Sequence, residues 1–249
     1  MGDYMKKTVF LSFSLKKLSV IVFSALFVAS CSAAVHYSTV SVATANITAD
    51  RQTIIVDAGH GDVDGGTQSQ DGVLEKDINL AIANKVGMIL NLMGYEVVYT
   101  RESDSIPYGS ECHTIRQKKV WDTHNRMSVI EKHPEGIFLS IHQNYFTDAR
   151  YSGAQVFYSG KNPESKLIAE SIQSSIAESL QKNNDRQIKK VGTEIYLLYH
   201  SEIPAVMVEC GFLSNSDEAA LLSDEVYQCK MALAIIKGLT RYIKSETLI

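Results

Sequence analysis

Apolar and polar positions along the chain alternate in two rhythms. Thr53-Ile54-Ile55-Val56 is a short β-branched run that stops at Asp57-Ala58-Gly59-His60-Gly61, the pattern of a buried strand entering a loop. Over residues 75–93, Ile78, Ile82, Val86, Ile89, Leu90 and Met93 recur at helical spacing, and Gly94 follows as a stop. Residues 95–100 predict the next strand. Residues 102–120, broken by Pro107 and Gly109, read as a long polar loop or insertion, and 122–132 as a helix. Strands are then expected over 136–141, ending at His142, over 154–158, and over 204–208, ending at Glu209. Between the last two lie a helix over 163–181, with Ile168, Ile172, Ile176 and Leu180 on one stripe, and a short apolar segment of open type over 192–200. Asn215 and Glu218 suggest a capping box, and Tyr227, Met231, Ile235, Leu239 and Tyr242 mark a final helix. Strands alternating with helices predict a single α/β domain, a mainly parallel twisted sheet with helices on both faces.

The N-terminus has a different character. Lys6, Lys7, Lys16 and Lys17 precede an apolar run over 18–29 that ends in small residues, as in a secretory signal. The run falls short of the roughly 20 apolar residues of a comfortable transmembrane helix, although an uncleaved anchor is the alternative. Val28-Ala29-Ser30-Cys31 also has the form of a lipobox, which would lipidate Cys31, while Ser32-Ala33-Ala34 offers an ordinary cleavage region. Residues 1–34 are therefore expected to be a signal peptide or lipoprotein signal, 35–50 a linker, and 51–247 the working domain. That domain would act outside the cytoplasm, secreted or membrane-anchored, and would meet the membrane only through the signal or lipid anchor. The balance of 24 Lys+Arg against 28 Asp+Glu, a net charge of −4, lacks the basic excess of a nucleic-acid binder. Beyond Cys31 the cysteines are Cys112, Cys210 and Cys229, an odd number without CxxC spacing. This argues against a disulfide framework and for small buried thiols.

The candidate chemistry lies at strand ends. His60, His142 and Glu209 each follow directly on an expected buried strand, and open α/β sheets bind ligands at the carboxyl ends of their strands. Glu75 opens the helix reached through the loop after His60, so it can lie at the same rim. Two imidazoles and one carboxylate with a fourth position open make a catalytic zinc site, in which bound water has a pKa of about 7. A further carboxylate outside the metal's ligands is what hydrolysis needs as general base and then acid. Position alone leaves open which glutamate takes which role. Glu209, after Val-Met-Val, risks burial and demands a partner. His36, His113, His124, His133 and His200 fall in linker, loop or helical contexts and are left aside, His200 least securely.

The runs IIVDAGHGDVDGG, LEKDINLAIA, FLSIHQN and IPAVMVECGFLSN together resemble the zinc-dependent N-acetylmuramoyl-L-alanine amidases. The resemblance covers about residues 53–245, and makes 51–247 an amidase catalytic domain. Carried over by motif, it implies that His60, Glu75 and His142 hold Zn2+ and that Glu209 is the catalytic glutamate. It implies hydrolysis of the amide between N-acetylmuramic acid and the L-alanine of peptidoglycan stem peptides. Arg101 and Arg126 are candidates for pairing with substrate carboxylates. The single-domain layout and Gly153-Ala154-Gln155-Val156-Phe157-Tyr158 are most similar to spore-cortex members of the family. This implies a role in cortex maturation, muramic-δ-lactam formation and germination, in the forespore intermembrane space of a spore former. Peptidoglycan is the expected substrate, and an accessory activator or targeting protein the expected partner. Two departures stand out: Gln143, where the family often has a small or apolar residue, and the long polar stretch over 105–121. The alternatives are a zinc hydrolase of another peptidoglycan bond, or a catalytically silent wall-binding or interaction protein.

Overall fold

A computed structural model describes residues 52–246; the signal, Cys31 and linker readings fall outside them. Its strands and helices, in chain order, are β1 (Thr53–Ala58), α1 (Glu75–Leu92), β2 (Glu96–Tyr99), α2 (Ile115–Glu131), β3 (Ile137–Asn144), β4 (Gln155–Tyr158), α3 (Glu164–Ser179), β5 (Lys189–Lys190), α4 (Tyr196–His200), β6 (Ala205–Phe212), α5 (Ser216–Ser223) and α6 (Glu225–Glu246). The strands form one six-stranded sheet in the order β2-β1-β3-β6-β4-β5. β2, β1, β3 and β6 run parallel, as expected of strands joined through helices. β4 is the exception: it pairs antiparallel with β6 and carries the two-residue β5, which the sequence pattern did not reveal.

Alternation along the central strands assigns the two faces. Ile54, Val56, Leu139, Ile141, Val206 and Val208 face the larger core, which α1, α3 and α6 complete. Three stripes spaced by four residues meet there: Ile78, Ile82, Val86 and Leu90 of α1; Ile168, Ile172 and Ile176 of α3; Met231, Ile235 and Leu239 of α6. All are buried, whereas Met93, expected on the α1 stripe, is exposed as the helix cap, just before the left-handed Gly94. Ile55, Phe138, Ala205 and Met207 face the other way, toward Met127 and Ile130 of α2 and Leu198 of α4. The same alternation puts Asp57, Ser140, His142 and Glu209 on this second face.

The structure corrects several boundaries. α2 begins at Ile115, seven residues before the expected start at 122, because Thr114 and Gln117 form a reciprocal capping box inside the stretch read as a loop. Asn215 does cap α5 through Asp217 N and Glu218 N, but Glu218 does not reach back to it. Its carboxylate instead accepts from Gly153 N and Phe212 N, joining the β3–β4 connection to the end of β6. β3 and β6 do not stop before His142 and Glu209; they run through them, and the two residues are register partners in adjacent parallel strands. Cys112, Cys210 and Cys229 are all free thiols, yet only Cys210 is buried. No helix among the described residues is long and apolar enough to cross a membrane.

Truncating the centre of the larger core tests this packing. Ile172→Ala is expected to lower stability by about 2–5 kcal/mol, read as a fall in the urea midpoint with an unchanged denaturant slope.

Candidate metal centre

β1 delivers the chain to a loop that turns back sharply. His60 and Asp62 have left-handed backbones, with φ of 62° and 47°, and Gly61 N and Asp64 N exchange hydrogen bonds with the opposing carbonyls. This turn brings the His60 ring over the first turn of α1. His60 Nε2 lies 3.2 Å from Glu75 Oε2, and His142 Nδ1, reaching up from β3, lies 3.0 Å from Glu75 Oε1. The two imidazoles meet edge to face with ring centroids 5.0 Å apart. One donor atom from each of His60, Glu75 and His142 falls within 4.8 Å of the other two, and these three form the sole metal-competent cluster among the described residues. Two glycines make the convergence possible. A Cβ on Gly59 would stand 2.2 Å from the His142 ring, and one on Gly66 2.5 Å from Glu75 Oε2.

Glu75 is gripped from several sides. Its Oε2 accepts from Thr67 N at 2.9 Å, and its Oε1 from Gln143 N at 3.1 Å and Asn79 Nδ2 at 3.2 Å. Gln143 also donates its side-chain amide to Asn79 Oδ1, so it braces the group that braces Glu75. Burial opposes ionisation here, but the His142 and His60 contacts overcome it and hold Glu75 well below the usual carboxylate range. His60 is likewise desolvated, yet hydrogen bonds to Asp64 and Glu75 raise it to about 9. Asp64 Oδ2 sits 2.9 Å from His60 Nδ1, and this contact fixes the ring so that Nε2 faces Glu75. Negative charge thus surrounds a pair of imidazoles. Two nitrogen donors, one carboxylate and a carboxylate behind one histidine make a donor set that fits Zn2+.

Glu209 stands apart from this cluster. It is part-buried, and its Oε2 is inaccessible to solvent without a hydrogen-bond partner. Desolvation pushes its carboxyl up to about 7. Geometry therefore groups Glu75 with the histidines and leaves Glu209 beside them with a free acceptor. The other described histidines are not drawn in.

The structure corrects the reading of Arg101 and Arg126 as substrate-binding groups. Arg101 donates through Nε to the Ala58 carbonyl at 2.8 Å, and through Nη2 to the Gly59 and Lys76 carbonyls at 3.0 and 2.8 Å. Arg126 donates through Nη1 to Asp57 Oδ1 at 2.6 Å and the Ala58 carbonyl at 2.7 Å, and through Nη2 to the His60 carbonyl at 2.5 Å. Both are buried under the loop that carries His60, and neither offers a free fork to a ligand. Their donors are spent on the loop that carries His60 and on the carboxylates beneath it. Asp57, Asp64, Asn79 and Thr67 were not singled out from sequence. Asp57, a carboxylate inside an apolar strand, carried the same signal of a buried charge needing a partner that marked Glu209.

Burial alone would raise Asp57, but Arg126, then Ser140 and Thr100, bring it down to about 2. A folded-state value below the unfolded one contributes stability above about pH 4, lost as pH falls toward 2. Arg126→Met, which strands the carboxylate, is expected to cost about 3–5 kcal/mol at neutral pH. Denaturant titrations should show the deficit shrinking between about pH 4 and pH 2, where the native protein loses the same contribution.

Residues 54–241 match the N-acetylmuramoyl-L-alanine amidase family. The germination-specific N-acetylmuramoyl-L-alanine amidase of Bacillus subtilis is 38% identical over 195 residues, spanning 78% of this chain and 80% of its own. The amidase LytC of the same organism is 32% identical over 78% of this chain but only 36% of its own length. Among solved structures, the CwlD amidase of Clostridioides difficile, in complex with the GerS lipoprotein, superposes with a TM-score of 0.76 at 42% identity, over 78% of this chain and all of that one. Fold, sequence and the cluster at the carboxyl ends of β1 and β3 agree, and the chain belongs to the N-acetylmuramoyl-L-alanine amidases, as an enzyme of that activity.

Proposed function

We propose that this enzyme hydrolyses the amide between the lactyl group of N-acetylmuramic acid and the first L-alanine of the peptidoglycan stem, with Zn2+ held by His60, Glu75 and His142. The observation that carries the reading is the meeting of those three donor groups beside a carboxylate, Glu209, that has an unpartnered oxygen. When bound, zinc supplies a Lewis acid that polarises the scissile carbonyl and acidifies water. The chain's own residues do the rest. Asp64 orients His60, and Thr67 N, Gln143 N and Asn79 orient Glu75, so the ligand atoms are aimed before any ion arrives. Glu209 accepts the proton of the attacking water through its free oxygen and returns it to the departing alanine nitrogen. A carboxyl raised to about 7 is matched to both transfers near neutral pH. Its position in a central strand, bonded on both sides by β3 and β4, fixes the distance over which the proton moves.

The relatives support one setting. Likeness to a germination-specific amidase and to CwlD favours action on the spore cortex, outside the cytoplasm, where removal of stem peptides prepares muramic acid for lactam formation. The association of CwlD with a lipoprotein favours an accessory protein of that kind as activator or targeting partner. Residues 1–34 as an export or lipoprotein signal and 35–50 as a linker would deliver residues 51–247 to that compartment.

Muropeptide analysis by mass spectrometry tests the reaction. Zinc-supplemented protein, with an extract supplying any activator, is expected to release stem peptides from intact glycan. Glu209→Gln should keep stoichiometric zinc and lose turnover by at least about 10²-fold, whereas His142→Ala should lose the metal. Retained turnover in Glu209→Gln sinks the assignment of the base.

A further inference from the structure

A cavity of about 220 Å³ shares His60 and His142 with the candidate metal cluster, and Lys119, Thr123 and Leu197 line it together with Asp57, Asp64 and Asp122. Lys119 comes from the N-terminal half of α2. Its side chain is 49% exposed, with Nζ 2.7 Å from Asp64 Oδ1. An ammonium has three donors, so this single contact holds the group in place and leaves donors for a ligand. The other cation of the lining, Arg126, is 4% exposed and committed to Asp57, Asp122 and two main-chain carbonyls. Lys119 is thus the cation of this cavity that can meet an anion.

Resting on the amidase reading above, we propose that Lys119 anchors a carboxylate of the stem peptide and makes the enzyme selective for stems whose second residue is a free acid. The scissile nitrogen belongs to L-alanine, and the residue after it is a glutamate whose α-carboxyl is either free or amidated. An extended residue spans about 3.3–3.6 Å, so that carboxyl lies within two residue lengths of the reacting bond. On the protein side, one carboxylate (Asp64) and one imidazole (His60) separate Lys119 from Nε2, the atom aimed at Glu75. Because Asp64 already restrains the ammonium, a charge-assisted bond to the ligand forms with little further ordering. The neutral amide offers an acceptor oxygen but no charge, which makes the interaction weaker.

The experiment compares two muropeptides that differ only in whether this α-carboxyl is free or amidated. Wild-type enzyme is expected to favour the free acid by about tenfold in kcat/KM. Lys119→Met should bring that ratio close to one, and Lys119→Arg should preserve it. Calorimetry of the uncleaved muropeptides binding to Glu209→Gln protein, with and without Lys119→Met, should give the same ordering, and zinc content is measured on each variant. A wild type that does not discriminate overturns the proposal, and so does a ratio unchanged in Lys119→Met. An equal loss on both substrates with falling zinc content assigns Lys119 to support of Asp64 alone and also overturns it. Hydrolysis of neither muropeptide by wild-type enzyme would remove the amidase reading itself.

Discussion

His60 has a left-handed backbone, and its cluster with Glu75 and His142 exists only while something holds it there. For a residue with a Cβ that conformation costs on the order of 1–3 kcal/mol, so the loop cannot rely on its own preference. Arg126 binds the His60 carbonyl, Arg101 binds the Gly59 carbonyl, and both share the Ala58 carbonyl at the end of β1. The two guanidiniums replace the strand partners that the chain gives up as it leaves the sheet. Asp57 neutralises Arg126 from below, and Ser140 and Thr100 complete the Asp57 carboxylate. A buried charge network therefore supports a turn, and the turn presents an imidazole.

The sheet explains why the remaining groups arrive on the same side. Asp57, Ser140, His142 and Glu209 occupy one face of three adjacent strands, continuing upward from the apolar layer of Ile55, Phe138 and Met207. The face changes from apolar to charged along each strand, and α2 spans both parts, with Met127 and Ile130 below and Arg126, Asp122 and Lys119 above. One helix thus serves the core and the cavity together. On the opposite face the described positions of β1, β3 and β6 carry no charged side chain, and α1, α3 and α6 close that core with aliphatic stripes.

Much of this was legible from the chain. The β-branched runs and four-residue stripes located most of the sheet and the three large helices, since burial on both sides leaves an apolar signature that polar neighbours do not mask. His60, His142 and Glu209 stood out as polar groups where apolar runs end, and Glu75 as the residue opening the helix that follows the first of them. What was hidden has physical reasons. The first half of α2 carries few buried residues, so its helix is signalled by the Thr114–Gln117 cap rather than by periodicity. β5 is two lysines whose strand character comes from pairing with Phe157 and Tyr158. Which way an arginine points is set by carbonyls distant in sequence, and the hold of Arg101 and Arg126 on the Ala58, Gly59 and His60 carbonyls was hidden for that reason. Which glutamate joins the histidines needed either the family resemblance or coordinates, because a strand end and a helix start can both reach the same rim of the sheet.

The pairing of His142 opposite Glu209 in β3 and β6 carries a consequence for how the enzyme matures. Side chains in a strand reverse face at every step, so a slip of one position between these neighbours would swing one of the two into the aliphatic interior. Correct zippering of the central pair and assembly of the reactive centre are consequently one event. A molecule caught in the wrong alignment would lack either His142 or Glu209 on the face that carries the cluster.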